Sequence, residues 1–463
     1  MSDRAIVWFR RDLRVHDHPA LTAALRAHEE VVPVFVLDRR LTAGRFPSGP
    51  RAHFLLESVR ELRAALRARG GELLVRDGRP EAELVALAEQ TGARAAYFHA
   101  DVSPFAVARD ARVSAALRAA GVEPRALPGT FVADDPGAPR TADGRPFTVY
   151  SPYWRRWREL PLRDVHDAPG AVAVPGGLDA GTIPALADLG LQPELSDPPA
   201  PGEAAGRARM EAFLSDGLAG YGDTRNRLAG GTSELSPYLH FGCVSARELH
   251  ARASSSDAFV RQLAWRDFYA HVLLHNPDNA HRPFQARYEA LETDDDAERL
   301  EAWKAGRTGF PLVDAGMRQL RARGWMHNRA RLVTASFLVK DLHLDYRLGE
   351  AHFMRYLLCG DEAQNNGNWQ WVASVGVDPA PVFRRMFNPA RQQERFDPEG
   401  EYVRRWVPEL GDVPVKRLTE PWTMTELDQR MAGCVIGEDY PAPIVDHKRE
   451  RERALERYAA VRD

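Results

Sequence analysis

Cysteine is scarce in this sequence, and the scarcity removes two classes at once. Cys243, Cys359 and Cys434 lie too far apart for a disulfide framework or a thiolate metal site, so no metal ligands are assigned. No apolar run approaches the roughly 20 residues that a membrane span requires. The N-terminal "MSDRAIVWFRRDLR" lacks the apolar core of a secretion signal. The expectation is a cytoplasmic protein with no membrane and no obligate protein partner, a monomer. Neither GxGxxG nor GxxxxGK[ST] occurs, which excludes the usual dinucleotide loop and the P-loop. No internal repeat is visible. A net charge of −3 provides no global field toward polyanions.

What is present falls into blocks. A chain of 463 residues is too long for one ordinary core, which implies two domains. The apolar runs "AIVWF" (5–9), "VVPVFVL" (31–37), "ELLVR" (72–76) and "AAYFH" (95–99) suit buried parallel strands. Helical patterns over 20–27, 51–69, 81–89 and 106–119 separate them. This alternation predicts a doubly wound α/β domain over residues 1–133. Pro and Gly become dense over 134–201, a linker broken by the aromatic-basic "YSPYWRRWREL". From 202 to 463 the pattern is helical, so the fold class is α/β followed by all-α.

Chemistry concentrates in four stretches of the helical part. In "CGDEAQNNGNWQW" (359–371), Asp361, Asn365 and Trp369 fall at i, i+4, i+8, one helix face. A carboxylate, an amide and an indole there can read a flat heterocycle; Trp371 points elsewhere, toward a neighbouring cavity. Capping at a helix start explains the same residues. In "GWMHNRARLVTASF" (324–337), Asn328, Arg331 and Leu332 share a face, with Arg329 on the next. Such groups are costly to bury alone, which implies a ligand, a polar network or an interhelical salt bridge. In "VRQLAWRDFYAHVL" (260–273), Gln262, Trp265 and Tyr269 align as a nucleobase pocket or an aromatic core stripe. In "GTSELSPYLHFG" (231–242), Thr232, Ser233 and Ser236 can cap a helix or bind a phosphate.

Basic residues are local. Five arginines and no acid occupy 318–331, and Arg384, Arg385, Arg391, Arg395, Arg404 and Arg405 form a second zone diluted by acids. These are solvated faces or a polyanion site. Taken together, the stretches imply a pocket for a flat, phosphate-bearing cofactor near a basic surface.

The motifs "IVWFRRDLRVHDHPAL", "GTSELSPYLHFG", "LAWRDFY", "GFPLVDAGMRQL", "GWMHNRARLVTASFLVKDL", "NNGNWQW" and "FNPARQQERFDPEGEYVRRWVPEL" resemble, in family order, the photolyase/cryptochrome flavoproteins. They are most similar to bacterial class I cyclobutane pyrimidine dimer photolyases. The resemblance implies FAD in the helical domain, held by Tyr221, Thr232, Ser233, Leu235 and Ser236 at ribityl and phosphates. It implies Asp361 at the flavin edge, Asn365 at N5, Arg331 beside the ring, and Trp265 and Asn328 against the cofactor. Trp265 and Trp371 are to wall the dimer cavity, Gln262, Asn328 and Arg329 to reach the lesion, and Arg225 and Gln392 to touch UV-damaged DNA. The implied activity is light-driven splitting of the dimer by an electron from reduced FAD. A cryptochrome-like photoreceptor and (6-4) repair are the alternatives. Arg51 and Asp101 match positions that bind an 8-hydroxy-5-deazaflavin antenna; methenyltetrahydrofolate or an empty site is the alternative.

The chain departs from that family at several positions. Glu234 stands where an arginine is usual, and Gln262 where class I enzymes carry Glu. Cys359 replaces an Asp that pairs with the arginine matched by Arg331. Of the photoreducing tryptophan chain, Trp369 matches the proximal member, Tyr346 stands at the middle, and 291–294 contains no Trp. Slow or rerouted photoreduction is the expectation.

Overall fold

A computed structural model describes residues 3–461. Five strands, β1 (Arg4–Phe9), β2 (Glu30–Leu37), β3 (Leu74–Asp77), β4 (Ala95–His99) and β5 (Glu123–Leu127), form one sheet in the order β3-β2-β1-β4-β5. All pairs are parallel. The helices α1 (Pro19–Ala27), α2 (Gly49–Arg67), α3 (Pro80–Thr91) and α4 (Pro104–Ala119) connect them. Four strands were legible as continuous apolar runs because both sheet faces are covered. β5 was not: "EPRAL" is a mostly exposed edge strand carrying a proline.

Alternation along β1 divides the two faces. Ile6 and Trp8 pack with Leu84 and Leu87 of α3 and Val113 and Leu117 of α4. Ala5, Val7 and Phe9 enter a core that continues into the helical part through Tyr238, Phe241 and Cys243. Phe54 of α2 stacks on Phe241 with ring centroids 5.1 Å apart. The two parts therefore share one hydrophobic core, and the seam between them is fixed.

Residues 134–201 lie largely without regular structure around the α/β part. Val172 N–H donates to Arg69, Val31 N–H to Ala173 and Val75 N–H to Ala180, so the segment supplies acceptors to the sheet margin. Its one long element, α5 (Tyr150–Trp157), is the aromatic-basic stretch.

The helical part is built around α6 (Ser236–His240), α7 (Asp257–His275), α8 (Ala297–Ala305), α9 (Pro311–Arg323), α10 (Asn328–Lys340), α11 (Tyr346–Tyr356), α12 (Glu362–Ala373), α13 (Pro389–Phe396) and α14 (His447–Ala460); shorter helical turns are left unlabelled. α10, α11 and α12 pack together, and Gly349 on α11 makes this possible. A Cβ there would strike the indole of Trp369. No helix among the described residues is long and apolar enough to cross a membrane.

Candidate functional site

A cavity of about 410 Å³ opens between α7, α10, α12 and the loop before α6. That volume lies within the range of cofactor pockets. The structure brings Tyr221, Thr232, Ser233, Leu235 and Ser236 to one part of its wall. Gln262, Trp265, Asn328, Arg331, Asp361 and Trp371 line the rest. Asn365 and Trp369 line an adjoining cleft of about 70 Å³, which shares Asn328, Arg331 and Cys359 with the larger one.

The loop end is polar. Ser236 Oγ is buried with no hydrogen-bond partner. An orphaned hydroxyl beside Thr232 and Ser233 is a donor set for phosphate or ribityl oxygens. Glu234 adopts a left-handed φ of 51°, and its carboxylate is held by Arg209 at 3.0 Å and Arg323 at 3.4 Å. The acid that the sequence places in this loop is therefore neutralised from outside the pocket.

Asp361 is the N-cap of α12, not a member of its face, which corrects the i, i+4, i+8 reading. One oxygen accepts from Gln364 N–H at 3.1 Å and the other from Arg11 Nη1 at 2.7 Å. Gln364, Asn368 and Trp371 share the main cavity with Asp361, while Asn365 and Trp369 turn to the adjoining cleft, so Trp371 points away from Trp369 but into the same cavity as Asp361. Burial alone would raise the Asp361 carboxyl, but the Arg11 guanidinium and His240 outweigh it and hold it far below the carboxylate range. Burial pushes His240 down to about 4, so its ring is neutral at pH 7.

Arg11 also donates to both oxygens of Asp101, at 2.8 and 2.9 Å. One guanidinium thus joins a carboxylate of the α/β part to the N-cap of α12. Arg51 lies at the same seam. Its guanidinium donates to the carbonyls of Phe46, Met354 and Leu357, and only a glycine at 360 leaves room for it. Arg51 and Asp101 therefore both lie at the seam between the two parts.

The apolar walls are rigid. Trp265 stacks on Tyr150 of α5, with ring centroids 3.7 Å apart and planes within 7°. Such a pair contributes about 0.5–1.5 kcal/mol beyond its burial. Trp371 is covered by the Arg385 guanidinium at 4.1 Å and its indole N–H donates to Asp378 at 3.4 Å. Gln262 Nε2 donates to Ala258 O at 3.4 Å, a bond within its own helix that leaves Oε1 available.

Arg331 forms no ion pair among the described residues. Its Nε donates to Met326 O at 2.8 Å, and Nη2 contacts the Cys359 thiol at 3.4 Å. An unpaired guanidinium in the cavity wall attracts an anion.

Other expected residues lie outside the cavity. Arg329 donates to Asn226 at 2.8 Å and lies 4.3 Å over the Phe396 ring. Burial, Arg395 and Arg225 push its guanidinium below its ordinary value. Arg225, Arg329 and Arg395 have no carboxylate partner among the described residues, a like-charge cluster that a phosphate chain would relieve. Gln392 Oε1 is buried without a partner. Tyr346 lines a separate polar cavity of about 150 Å³ together with Leu291, Glu292 and Thr293.

A second cluster, Asp12, His18 and His99, is compact enough to suggest a metal centre. The hydrogen bonds argue otherwise. His18 Nδ1 accepts from Leu21 N–H at 3.0 Å and His99 Nε2 accepts from Ala20 N–H at 3.2 Å. A ring nitrogen that accepts leaves the ring proton on the other nitrogen, the one facing Asp12, at 3.4 and 2.8 Å. Ring protons, not lone pairs, fill the gap. The cluster clamps the ends of β1 and β4 to the start of α1.

Arg11, Tyr150, His240 and Trp325 were not expected at the site, and Arg385 was expected only as part of a basic zone. Trp325 lines the cavity, and its neighbours in the chain were already suspect. Arg11 lies 350 positions from Asp361, and Tyr150 more than a hundred from Trp265, so no local spacing could reveal them.

The arrangement defines a two-domain protein whose helical part holds a large, flat, phosphate-bearing cofactor. Comparison with known proteins agrees. Residues 5–171 match the family profile described as DNA photolyase, and residues 259–460 match the FAD binding domain of DNA photolyase. A deoxyribodipyrimidine photo-lyase of Streptomyces griseus is 44% identical, over 97% of this chain and 98% of the relative. A cryptochrome DASH of Natronomonas pharaonis is 38% identical, over 96% of this chain and 98% of the relative. The crystal structure of a class III photolyase from Agrobacterium tumefaciens superposes with a TM-score of 0.92 at 35% identity, covering 100% of this chain and 98% of that one. The chain belongs to the DNA photolyase family and carries its FAD-binding domain.

Proposed function

We propose that this protein repairs cyclobutane pyrimidine dimers in UV-damaged DNA under blue light. The observation that carries the reading is the wall of the 410 Å³ cavity. Orphaned hydroxyl, buried carboxylate and unpaired guanidinium surround a volume walled by indoles, beside arginines without acids. Thr232, Ser233 and Ser236 would hold the phosphate and ribityl end of FAD, and Asp361, Arg331 and Asn365 the ring end. When bound and reduced, FAD supplies a photoexcited one-electron donor.

The remaining work belongs to the chain. Trp265, held flat by Tyr150, and Trp371, held by Arg385, would receive the extruded dimer, two adjacent pyrimidines of one strand, between rigid faces. A dimer unstacks at less expense than intact bases, so the pocket favours damaged DNA. Gln262 and Asn328 present amides that donate and accept toward pyrimidine edges. Arg225, Arg329 and Gln392 would meet the flanking phosphates. Arg51 and Asp101, gathered with Arg11 and His240 at the seam, would border an 8-hydroxy-5-deazaflavin antenna.

The test uses chemically reduced, FAD-loaded protein and an oligonucleotide containing a thymine dimer. Absorbance of the restored thymines is followed under blue light and in the dark. Recovery in the light alone is expected; none in either condition would leave the photoreceptor reading, which the cryptochrome DASH relatives favour.

A further inference from the structure

Trp369 lines the cleft that adjoins the cofactor cavity and is 2% exposed. Its ring contacts among the described residues are Phe353, with centroids 4.9 Å apart, and Trp303, at 6.2 Å and 70°. Phenylalanine is not oxidised under these conditions; tryptophan is. Tyr346, the residue that the family resemblance places at the middle of the chain, has no ring contact with Trp369 among the described residues. The oxidisable group that touches Trp369 is therefore Trp303 on α8.

Trp303 is fully buried, and its indole N–H donates to Thr334 O at 3.0 Å. A carbonyl oxygen cannot take that proton, so a hole on Trp303 stays mobile and moves on. His352 lies 5.5 Å from Trp303 and 5.1 Å from Tyr356. Burial pushes His352 down to about 3, which keeps its ring neutral and spares the hole a repelling charge. Tyr356 ends the file at the surface, half-exposed, where a phenol proton can enter water.

We infer that electrons for photoreducing the flavin enter through Tyr356 and Trp303, a file on α11 and α8 that bypasses Tyr346. One electron leaves Trp369 for the photoexcited oxidised flavin. Trp303 refills Trp369, and Tyr356 refills Trp303 while losing one proton to solvent. An added thiol then returns a hydrogen atom to the tyrosyl radical and is itself oxidised. The inference rests on the reading that the flavin lies beside Trp369.

The experiment is flash photolysis of full-length, FAD-loaded protein with oxidised flavin and a thiol present. Long-lived tryptophan and tyrosine radicals are followed by transient absorption and electron paramagnetic resonance. Trp303→Phe and Tyr356→Phe are each expected to lower the long-lived radical yield about tenfold, and Tyr346→Phe by less than about twofold. The reverse pattern overturns the file. A signal that survives Trp369→Phe overturns the placement of the flavin beside Trp369, and the file with it. Trp303 is a core residue, so flavin content and circular dichroism accompany its variant. Tyr356→Phe, at the surface, decides the matter if Trp303→Phe is poorly folded.

Discussion

At one end of the large cavity, Glu234 brings a carboxylate into a loop of hydroxyls; at the other, Cys359 sets a thiol beside a guanidinium. Against the residues expected there, Glu234 changes the charge by two units and Cys359 by one. Glu234 has two arginines on its carboxylate. Arg331 has a carbonyl and a thiol. A third site, Glu350 on α11, is a buried acid that forms no ion pair among the described residues and is held by Asn366 Nδ2 at 3.2 Å. The lesson is that a charge change is absorbed where partners converge from other elements, and is felt where its only neighbours are neutral.

The largest effect that would break this comparison lies at Glu350. Burial pushes its carboxyl up to about 7, against the Asn366 contact that lowers it. The folded state then binds a proton more tightly than the unfolded one, so stability falls as pH rises from about 4.5 to about 7. Relative to wild type, Glu350→Gln is expected to gain roughly 2 kcal/mol across that window. Denaturant melts at the two ends measure it, and a constant difference between the proteins would contradict the assignment.

Cys359→Asp comes next. A carboxylate would pair with Arg331 and withdraw its charge from the cavity. The two-electron potential of bound flavin is expected to fall by about 30 mV, equivalent to about 1.4 kcal/mol. Equal potentials in a redox titration would show that the guanidinium does not act on the ring.

Glu234→Gln should do least. Two surface arginines lose a partner, at a cost below about 1 kcal/mol, and flavin release on dilution is expected to change less than about threefold. A large loss of flavin would mean that the carboxylate orders the loop and is not merely balanced by it.

The sequence carried the architecture wherever one residue type repeats at a fixed period. Ala5 to Phe9 read as a strand because both faces of the sheet are covered, and the exposed edge "EPRAL" did not. The cavity residues read as a group because amides, indoles and charged side chains recur at helical spacing on three largely buried helices. Two details failed for a shared reason. The spacing groups Asp361 with Asn365 and Trp369 and sets Trp371 apart from it; the N-cap geometry that puts Asp361 in the main cavity with Trp371 is not visible there. Whether Glu234 mattered was equally invisible, because Arg209 and Arg323 come from other segments.

Arg11 bears on how this protein can be engineered. Its guanidinium is carried by the segment after β1 yet neutralises Asp361, the N-cap of the helix that flanks the cofactor cavity. The α/β part is therefore not a detachable module. In a chimera built from two relatives, an α/β domain without a cation at this position would leave the half-buried Asp361 carboxylate unbalanced across the seam. The damage would surface in the helical half, in flavin retention, far from any residue the designer had exchanged.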